Sequence, residues 1–170
     1  LVGTSFETLW NDGATYAFPS SAVAMDLVST SASDTMDVLV SGLDASYNEI
    51  SETVTLTGTS AVTTSASFLR INSAIILSGQ NAGDISVSNG GTTYAFIGTN
   101  IGTTQACIYT VPAGHSLYIF RIDFNSATTN GNKYLTVRNK LATHTGRVLH
   151  VAEATFAVSQ VSYDRQVPFK

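Results

Sequence analysis

Charged residues are scarce in this sequence of 170 residues. Only 12% of the chain is Asp, Glu, Lys or Arg, about half the share found in an ordinary globular domain. The formal net charge of −4 and the pI near 5.1 provide no basic field that would attract a nucleic-acid backbone. No apolar run approaches the roughly 18 residues of a membrane-spanning helix. We therefore expect neither a nucleic-acid partner nor a membrane partner.

Cysteine is nearly missing as well, because the chain contains one, Cys107. A single cysteine cannot form an internal disulfide, and it stands in the apolar stretch Ala-Cys-Ile-Tyr of residues 106–109. No His or cation lies nearby in sequence to activate the thiol. The pattern predicts a buried core thiol and not a nucleophile.

Recognisable metal and catalytic motifs are also missing. His115, His144 and His150 are not spaced as ligands with another His, Cys or carboxylate. Residues 114–118, Gly-His-Ser-Leu-Tyr, lack the last glycine of a nucleophile elbow and open a strand where that motif needs a helix. We expect Ser116 to be the hydroxyl at a strand start. The sequence predicts no enzyme, with no catalytic, cofactor-binding or metal-ligating residues.

Two pairs of carboxylates stand close in sequence, as the acid and base of a glycosidase sometimes do. They are Glu49 with Glu52, and Asp34 with Asp37. On a strand the first pair points to opposite faces, and we expect all four carboxylates to be solvated. The 44–48 loop, Asp-Ala-Ser-Tyr-Asn, has too few carboxylates for a calcium cage, so its Asp and Asn are expected to bond the local backbone in a turn.

Residues that suit β-strands are abundant. Ser and Thr make up about a quarter of the chain, and the recurring Thr, Val, Ile, Tyr and Phe fit a pleated, half-buried surface. Period-two alternation recurs in short runs that end at turn signals. The sequence therefore predicts an all-β fold, an antiparallel and jelly-roll-like β-sandwich of about ten short strands.

The alternation also places the strands. Asn89-Gly90-Gly91 predicts a tight hairpin, because Asn and Gly tolerate positive φ. The run from Ser116 to Phe124 predicts a central core strand with Tyr118, Phe120, Ile122 and Phe124 on one face. We expect residues 1–20 to form an N-terminal arm or first strand, and residues 21–170 to form the sandwich, which stops before a final strand. The predicted strands cover 23–29, 36–41, 49–57, 66–77 with a bend near Asn72-Ser73, 84–88, 92–97, 107–111, 116–124, 133–139 and 147–159.

Three segments carry a more specific pattern. Residues 40–58 join a buried strand, an Asp/Asn turn and a Thr-rich amphipathic strand. Residues 63–70 are a Thr-rich run that ends in Ser-Phe-Leu-Arg, and residues 111–114 read Val-Pro-Ala-Gly before an aromatic strand. Over about residues 6 to 124, this combination resembles small virion structural proteins of tailed bacteriophages, especially marine phages and cyanophages.

The resemblance implies a non-enzymatic part of a virus particle, located on the capsid surface. It implies a capsid decoration (cement) protein that binds capsomer seams as a homo-oligomer, most often a trimer, with the major capsid protein as partner. A head-tail, collar or tail-fibre module and a carbohydrate-binding β-sandwich stay open as alternatives. Phe6, Leu9 and Trp10 are the candidate inter-subunit contacts, because they place large apolar groups ahead of the first strand. The same residues would equally suit a first strand folded onto its own core.

Overall fold

The computed structural model describes residues 8–13, 15–118, 134–142 and 148–157, the last two ranges as backbone. The chain divides into two compact units, Leu1–Ser116 and Leu117–Lys170. All nine strands in the described residues are antiparallel with their neighbours and no helix occurs there, so the predicted all-β fold is confirmed. The strands are β1 (Val23–Ser29), β2 (Asp37–Leu43), β3 (Glu49–Thr55), β4 (Val62–Phe68), β5 (Arg70–Ile76), β6 (Ile85–Asn89), β7 (Thr92–Ile97), β8 (Tyr134–Ala142) and β9 (Val148–Ala157).

Strands β1 to β7 form two sheets. One sheet has the strand order β4-β1-β6-β7 and the other has the order β3-β2-β5. Consecutive strands lie in the same sheet at the β2–β3 and β6–β7 hairpins and in opposite sheets elsewhere. One hydrophobic cluster contains side chains of all seven strands. The first unit is therefore consistent with the predicted β-sandwich.

The core follows from the period-two alternation of each strand. On β3 the exposed Thr53 and Thr55 flank the buried Val54. The largest fully buried apolar side chains come from both sheets, and two polar residues, Asp34 and Asn81, are buried as deeply. The apolar ones are Met25, Leu27, Val38, Val40, Leu43, Leu56, Phe68, Ile85, Val87 and Ile97.

Several predicted elements are confirmed and one is divided differently. β1 has the predicted limits, and Gly90 and Gly91 make the predicted hairpin turn with φ of 58° and 81°. The single strand predicted over 66–77 is wrong, because β4 and β5 lie in different sheets. The chain crosses between them at Leu69, whose backbone N–H donates to the Leu43 carbonyl at 2.8 Å.

The strand predicted over 107–111 is not formed, and Cys107 is exposed instead of buried. The physical reason is its neighbour: the Cys107 N–H donates to the Leu9 carbonyl at 2.8 Å. This pairing with the N-terminal segment places the apolar run on an edge of the sandwich and not in its interior.

The predicted core strand from Ser116 to Phe124 is not formed over its described part. Residues 116–118 are irregular and Tyr118 is 49% exposed. The positive φ of Gly114, 75°, follows Pro112 in a turn that leads the chain away from the sandwich core without starting a strand. Phe120 and the rest of that prediction lie outside the described residues.

The described strands of the second unit form one antiparallel hairpin, β8 with β9. It agrees with the strands predicted over 133–139 and 147–159. Its register pairs Leu135 with Phe156 and Leu141 with Leu149, and the pairing shifts between Asn139 and Lys140.

Candidate functional site

The N-terminal segment, residues 8–13 and 15–18, lies along one edge of the sandwich. Its backbone pairs with residues 105–107: the Asn11 N–H donates to the Gln105 carbonyl at 3.1 Å, beside the Cys107 to Leu9 bond. Trp10 and Ala106 form an antiparallel bridge at the same place. These bonds fix the segment by its main chain, so its side chains are presented from a defined backbone.

Four aromatic rings and one guanidinium form a continuous row along this edge, which we call the aromatic row. Trp10 meets Tyr16 edge-to-face at a centroid distance of 5.0 Å, and Tyr16 meets Phe18 in the same way at 4.9 Å. The guanidinium carbon of Arg70 lies 4.7 Å from the Phe18 centroid and 5.6 Å from the Tyr47 centroid. Edge-to-face and cation–π arrangements of this kind are attractive.

Arg70 satisfies its donors on carbonyl and phenol oxygens. Nη1 donates to the carbonyls of Leu69 at 2.7 Å and Pro19 at 3.1 Å, and Nη2 donates to the Tyr47 hydroxyl at 3.4 Å. It is the only Lys or Arg among residues 1–116. This guanidinium therefore joins the N-terminal segment to the β2–β3 hairpin.

Tyr16 links the aromatic row to the sheet. Its hydroxyl donates to the Tyr94 carbonyl of β7 at 2.9 Å, and its backbone N–H donates to Thr8 Oγ1 at 3.0 Å. Burial raises the pKa of Tyr16 to about 12, although the positive charge of Arg70 acts in the opposite direction. The phenol therefore stays neutral at physiological pH.

The predicted contact residues differ in their solvent exposure. Leu9 is 47% exposed, whereas Trp10 is partly covered and its indole nitrogen is buried. Phe6 lies outside the described residues. Phe18, which sequence reasoning missed, is 46% exposed beside Arg70. The alternation of Tyr16 and Phe18 before Pro19 was a signal that could have indicated it.

A second exposed apolar group lies on the outer face of the three-stranded sheet. Ile75 of β5 is paired with Leu39 of β2, and Ile75 and Leu77, two positions apart in the chain, are both exposed. Ile101 is also exposed, in the turn after β7. This turn lies close to β5, because the Gly102 carbonyl accepts from the Ile76 N–H at 2.9 Å. This group supplies matched positions for testing the N-terminal segment.

The expectation that Asp34 is solvated is wrong, because Asp34 is only 1% exposed. Its carboxylate accepts hydrogen bonds from Ser29 Oγ at 2.5 Å, from the Ala82 N–H at 2.8 Å and from the Gly83 N–H at 3.0 Å. Burial by itself raises the pKa of Asp34, but these three donors outweigh it and hold the pKa below its ordinary value. The donors at 82 and 83 are remote in sequence, so local pattern gave no sign of them.

Asn81 completes this buried polar end of the sandwich. Its Nδ2 donates to the carbonyls of Gly83 at 2.7 Å and Gly98 at 2.9 Å, while its Oδ1 accepts from the Gly102 N–H at 3.2 Å. Together with Asp34 it ties the loops at this end to one another. Both side chains use their polar atoms in hydrogen bonds to protein groups, so we interpret this cluster as structural.

Glu52 also departs from the expectation of a solvated carboxylate. It is half-buried, and its two oxygens accept from the backbone N–H groups of Ser65 at 2.9 Å and Ala66 at 2.7 Å. Beside it, Thr64 Oγ1 accepts from the Met25 N–H at 2.8 Å, where the β1–β4 register shifts. Side chains therefore satisfy backbone groups that the irregular strand β4 cannot pair in a ladder.

The turn predicted at residues 44–48 is confirmed. Asp44 Oδ1 accepts from the N–H groups of Ser46 at 2.7 Å and Asn48 at 2.9 Å, and Oδ2 accepts from Asn48 Nδ2 at 3.0 Å. These bonds, led by the Asn48 side chain, hold the pKa of Asp44 below its usual range. The carboxylate oxygens of Asp44 are therefore used in hydrogen bonds within the turn.

The three histidines are not brought together by any described contact. His115 is exposed, with Nδ1 3.0 Å from the Ala113 carbonyl. His144 lies outside the described residues, and His150 belongs to β9, which is described as backbone. Within the described ranges, no group of three or more His, Cys, Asp or Glu residues is arranged to hold a metal ion. The same ranges contain no helix with the length and hydropathy to cross a membrane.

The two units carry opposite net charges, which the overall value of −4 conceals. Leu1–Ser116 contains nine carboxylates and one cation, a net charge of −8, and Leu117–Lys170 contains three carboxylates and seven cations, a net charge of +4. Counting charge over the whole chain missed this asymmetry. A count over segments would have found it.

Comparisons with protein-family models, with curated proteins and with solved structures give no match to this chain.

Proposed function

We propose that this protein is a non-enzymatic structural component of a tailed-bacteriophage virion, and specifically a capsid decoration (cement) protein that binds capsomer seams on the outside of the head. The pattern of residues 40–58, 63–70 and 111–114 motivates the assignment to a virion. The geometry of the N-terminal segment supports a role in making contacts.

The observation that carries the proposal is a pair of exposed apolar side chains, Leu9 and Phe18, on a segment whose main chain is fixed to the sandwich. A segment that is already ordered loses little conformational entropy on docking. Aromatic side chains such as Phe18 are also enriched in protein interfaces. The aromatic row beneath keeps the Phe18 ring in place through Tyr16 and Arg70.

The sheet faces are suited to being covered by a neighbouring subunit. Each sheet has an outward carboxylate on an inner strand that already accepts from a hydroxyl: Asp26 from Thr63 Oγ1 at 2.5 Å, and Asp37 from Thr55 Oγ1 at 2.5 Å. A carboxylate with a partner of its own costs less to cover than an unpaired one.

We further propose that the protein acts as a closed homo-oligomer, a trimer, on a shell of major capsid protein. In a cyclic trimer the patch on one subunit fits a different patch on the next. Each such contact needs to bury at least about 1,000 Å² to be specific.

Particles made with and without the protein test the proposal. Particles without it are expected to assemble but to rupture at a lower temperature, and added purified protein should restore the wild-type rupture temperature. The double variant Leu9→Ser/Phe18→Ser should bind such particles at least about tenfold more weakly, since truncating a central apolar anchor typically costs more than 1 kcal/mol. The matched control Ile101→Ser, at a side chain 43% exposed in the turn after β7 and outside both sheets, should bind like wild type.

The contrary result is equally clear. A chain that sediments as a monomer at high concentration and is missing from purified virions by mass spectrometry contradicts the proposal. Glycan binding by such a monomer would favour a carbohydrate-binding sandwich instead.

A further inference from the structure

The indole N–H of Trp10 is a donor that the fold leaves without a protein partner. Its nitrogen is buried, and within the part of the chain that the structure describes it makes no hydrogen bond. Buried donors in native proteins nearly always have a partner, either a protein group or an ordered water molecule. The surroundings of this nitrogen therefore indicate what satisfies it.

A small cavity lies beside the indole, where β5 approaches β7. Its walls come from the N-terminal segment, from both strands and from residues 104–108. The cavity is partly open, and its volume of about 10 Å³ is close to the least that admits one water molecule. The cavity has the size of a single-water site.

The lining also supplies hydrogen-bond acceptors. Ser73 and Thr104 line the cavity together with Trp10. Thr104 Oγ1 accepts from the Ala74 N–H at 3.2 Å, and a hydroxyl oxygen has a second lone pair. A buried water typically makes about three hydrogen bonds, and Trp10, Ser73 and Thr104 together can provide three.

We infer that this cavity is a binding site for one buried water molecule, which accepts from Trp10 Nε1–H and donates to the hydroxyl oxygens of Ser73 and Thr104. A purely apolar cavity of similar size stays dry. The unpartnered indole donor and the presence of Ser73 and Thr104 in its walls distinguish this one.

The water adds a side-chain link among three segments that are already joined by main-chain hydrogen bonds. Thr104 belongs to a stretch that extends the edge of β5, since its N–H donates to the Ala74 carbonyl at 2.9 Å. Trp10 belongs to the N-terminal segment, and Ser73 belongs to β5. The water fixes the Trp10 ring against the sheet edge while the adjacent Leu9 stays exposed. This site is independent of the proposed function.

The full-length protein offers a direct test, because Trp10 is its only tryptophan. In ¹⁵N-labelled protein a single indole N–H signal appears, and it needs no assignment. We expect this signal to show a cross-peak to water with the sign of a long-lived bound molecule, and to exchange with solvent far more slowly than in the unfolded chain.

Variants identify the two acceptors. The double variant Ser73→Ala/Thr104→Val removes both hydroxyls and is expected to abolish the cross-peak. In the control variant Thr103→Val the cross-peak should persist, because Thr103 is next in sequence but does not line the cavity.

Three results would overturn the inference. A protected indole N–H without a water cross-peak in the unmodified protein would mean a dry site or a protein carbonyl partner. Exchange at the rate of the unfolded chain would mean an indole open to bulk solvent. A cross-peak unchanged in Ser73→Ala/Thr104→Val would mean that these hydroxyls do not bind the water.

Discussion

The Ser29 hydroxyl donates to the Asp34 carboxylate at 2.5 Å, and both residues are buried at one end of the sandwich. The other donors to this carboxylate are the backbone N–H groups of Ala82 and Gly83. Donors of this kind favour the ionised form of a buried carboxylate. The packing of this end therefore depends on one negative charge.

Replacing Asp34 by Asn should destabilise the protein by about 3 kcal/mol at pH 7, because the charge-assisted bonds are lost and an amide NH₂ faces backbone N–H donors. The pKa of Asp34 is lowered in the fold. Its contribution to stability is therefore present above the unfolded value of about 4 and is lost as the pH falls through the lower folded value. Urea unfolding at pH 7 and in acid checks both statements.

The matched control for this prediction is Asp37→Asn, which removes a carboxylate bonded to one surface hydroxyl. It should cost less than about 1 kcal/mol. Equal losses in the two variants, or a loss in Asp34→Asn that does not shrink in acid, would contradict the proposed role of Asp34.

Tyr16 makes the alkaline limit of stability predictable. The pKa of Tyr16 is about 12 in the fold, above its ordinary value of 10.0. Its contribution to stability is therefore complete below pH 10 and is lost between pH 10 and pH 12, where the unfolded chain ionises first. Tyr16→Phe should show a smaller decline in melting temperature over this interval than wild type. An identical decline would mean that the Tyr16 phenol is accessible to solvent.

The sequence predicted the elements whose evidence is local. β1 and the Gly90-Gly91 hairpin were found because alternation and positive-φ residues are visible within a few positions. Cys107 was misplaced because a short apolar run looks the same on a paired edge as in a core strand. The crossing at Leu69 has no Gly or Pro to mark it.

The site was less predictable than the fold. Leu9 and Trp10 were named as candidates, but nothing local showed that the leucine is exposed while the indole nitrogen is buried. Asp34 finds its backbone donors nearly fifty positions away. Such partners depend on which loops lie together at the end of the sandwich, and the order of the strands in the two sheets determines this.

Glu52 is expected to stabilise the irregular strand β4. Glu52→Gln keeps the size of the side chain but replaces one of two acceptor oxygens with a donor, so the Ser65 or Ala66 N–H loses its partner. The expected loss is about 1–2 kcal/mol in thermal or denaturant unfolding. Glu49→Gln, at an exposed position on the same strand, should be neutral within about 0.5 kcal/mol. A Glu52→Gln protein as stable as this control would show that water replaces the carboxylate.

Gly58 should tolerate no side chain. Its φ is +71°, and a Cβ there would lie 2.7 Å from the Ala32 carbonyl oxygen. Gly79 has a similar φ of +78° but open space around the Cβ position. We expect Gly79→Ala to cost about 1 kcal/mol for its backbone conformation alone and Gly58→Ala to cost about 3 kcal/mol or more, because the clash adds to the strain. Similar melting temperatures for the two variants would contradict the close approach of Ala32.

The last prediction concerns the first unit by itself. All buried members of the hydrophobic cluster lie between Met25 and Ile97. The described stretch after β7 bonds to the sandwich as far as Ala113, whose N–H donates to the Tyr47 carbonyl at 2.8 Å. A fragment of residues 1–116 should therefore fold alone, with a β-type circular dichroism spectrum, a cooperative unfolding transition and a buried Trp10 emission.

A fragment of residues 1–98 keeps every strand of the sandwich but removes the stretch that pairs with β5 and with the N-terminal segment. It should unfold at a lower temperature, because an edge strand is left unpaired. If the 1–116 fragment is unfolded, the sandwich requires residues beyond 116. That result would favour the single domain predicted over residues 21–170.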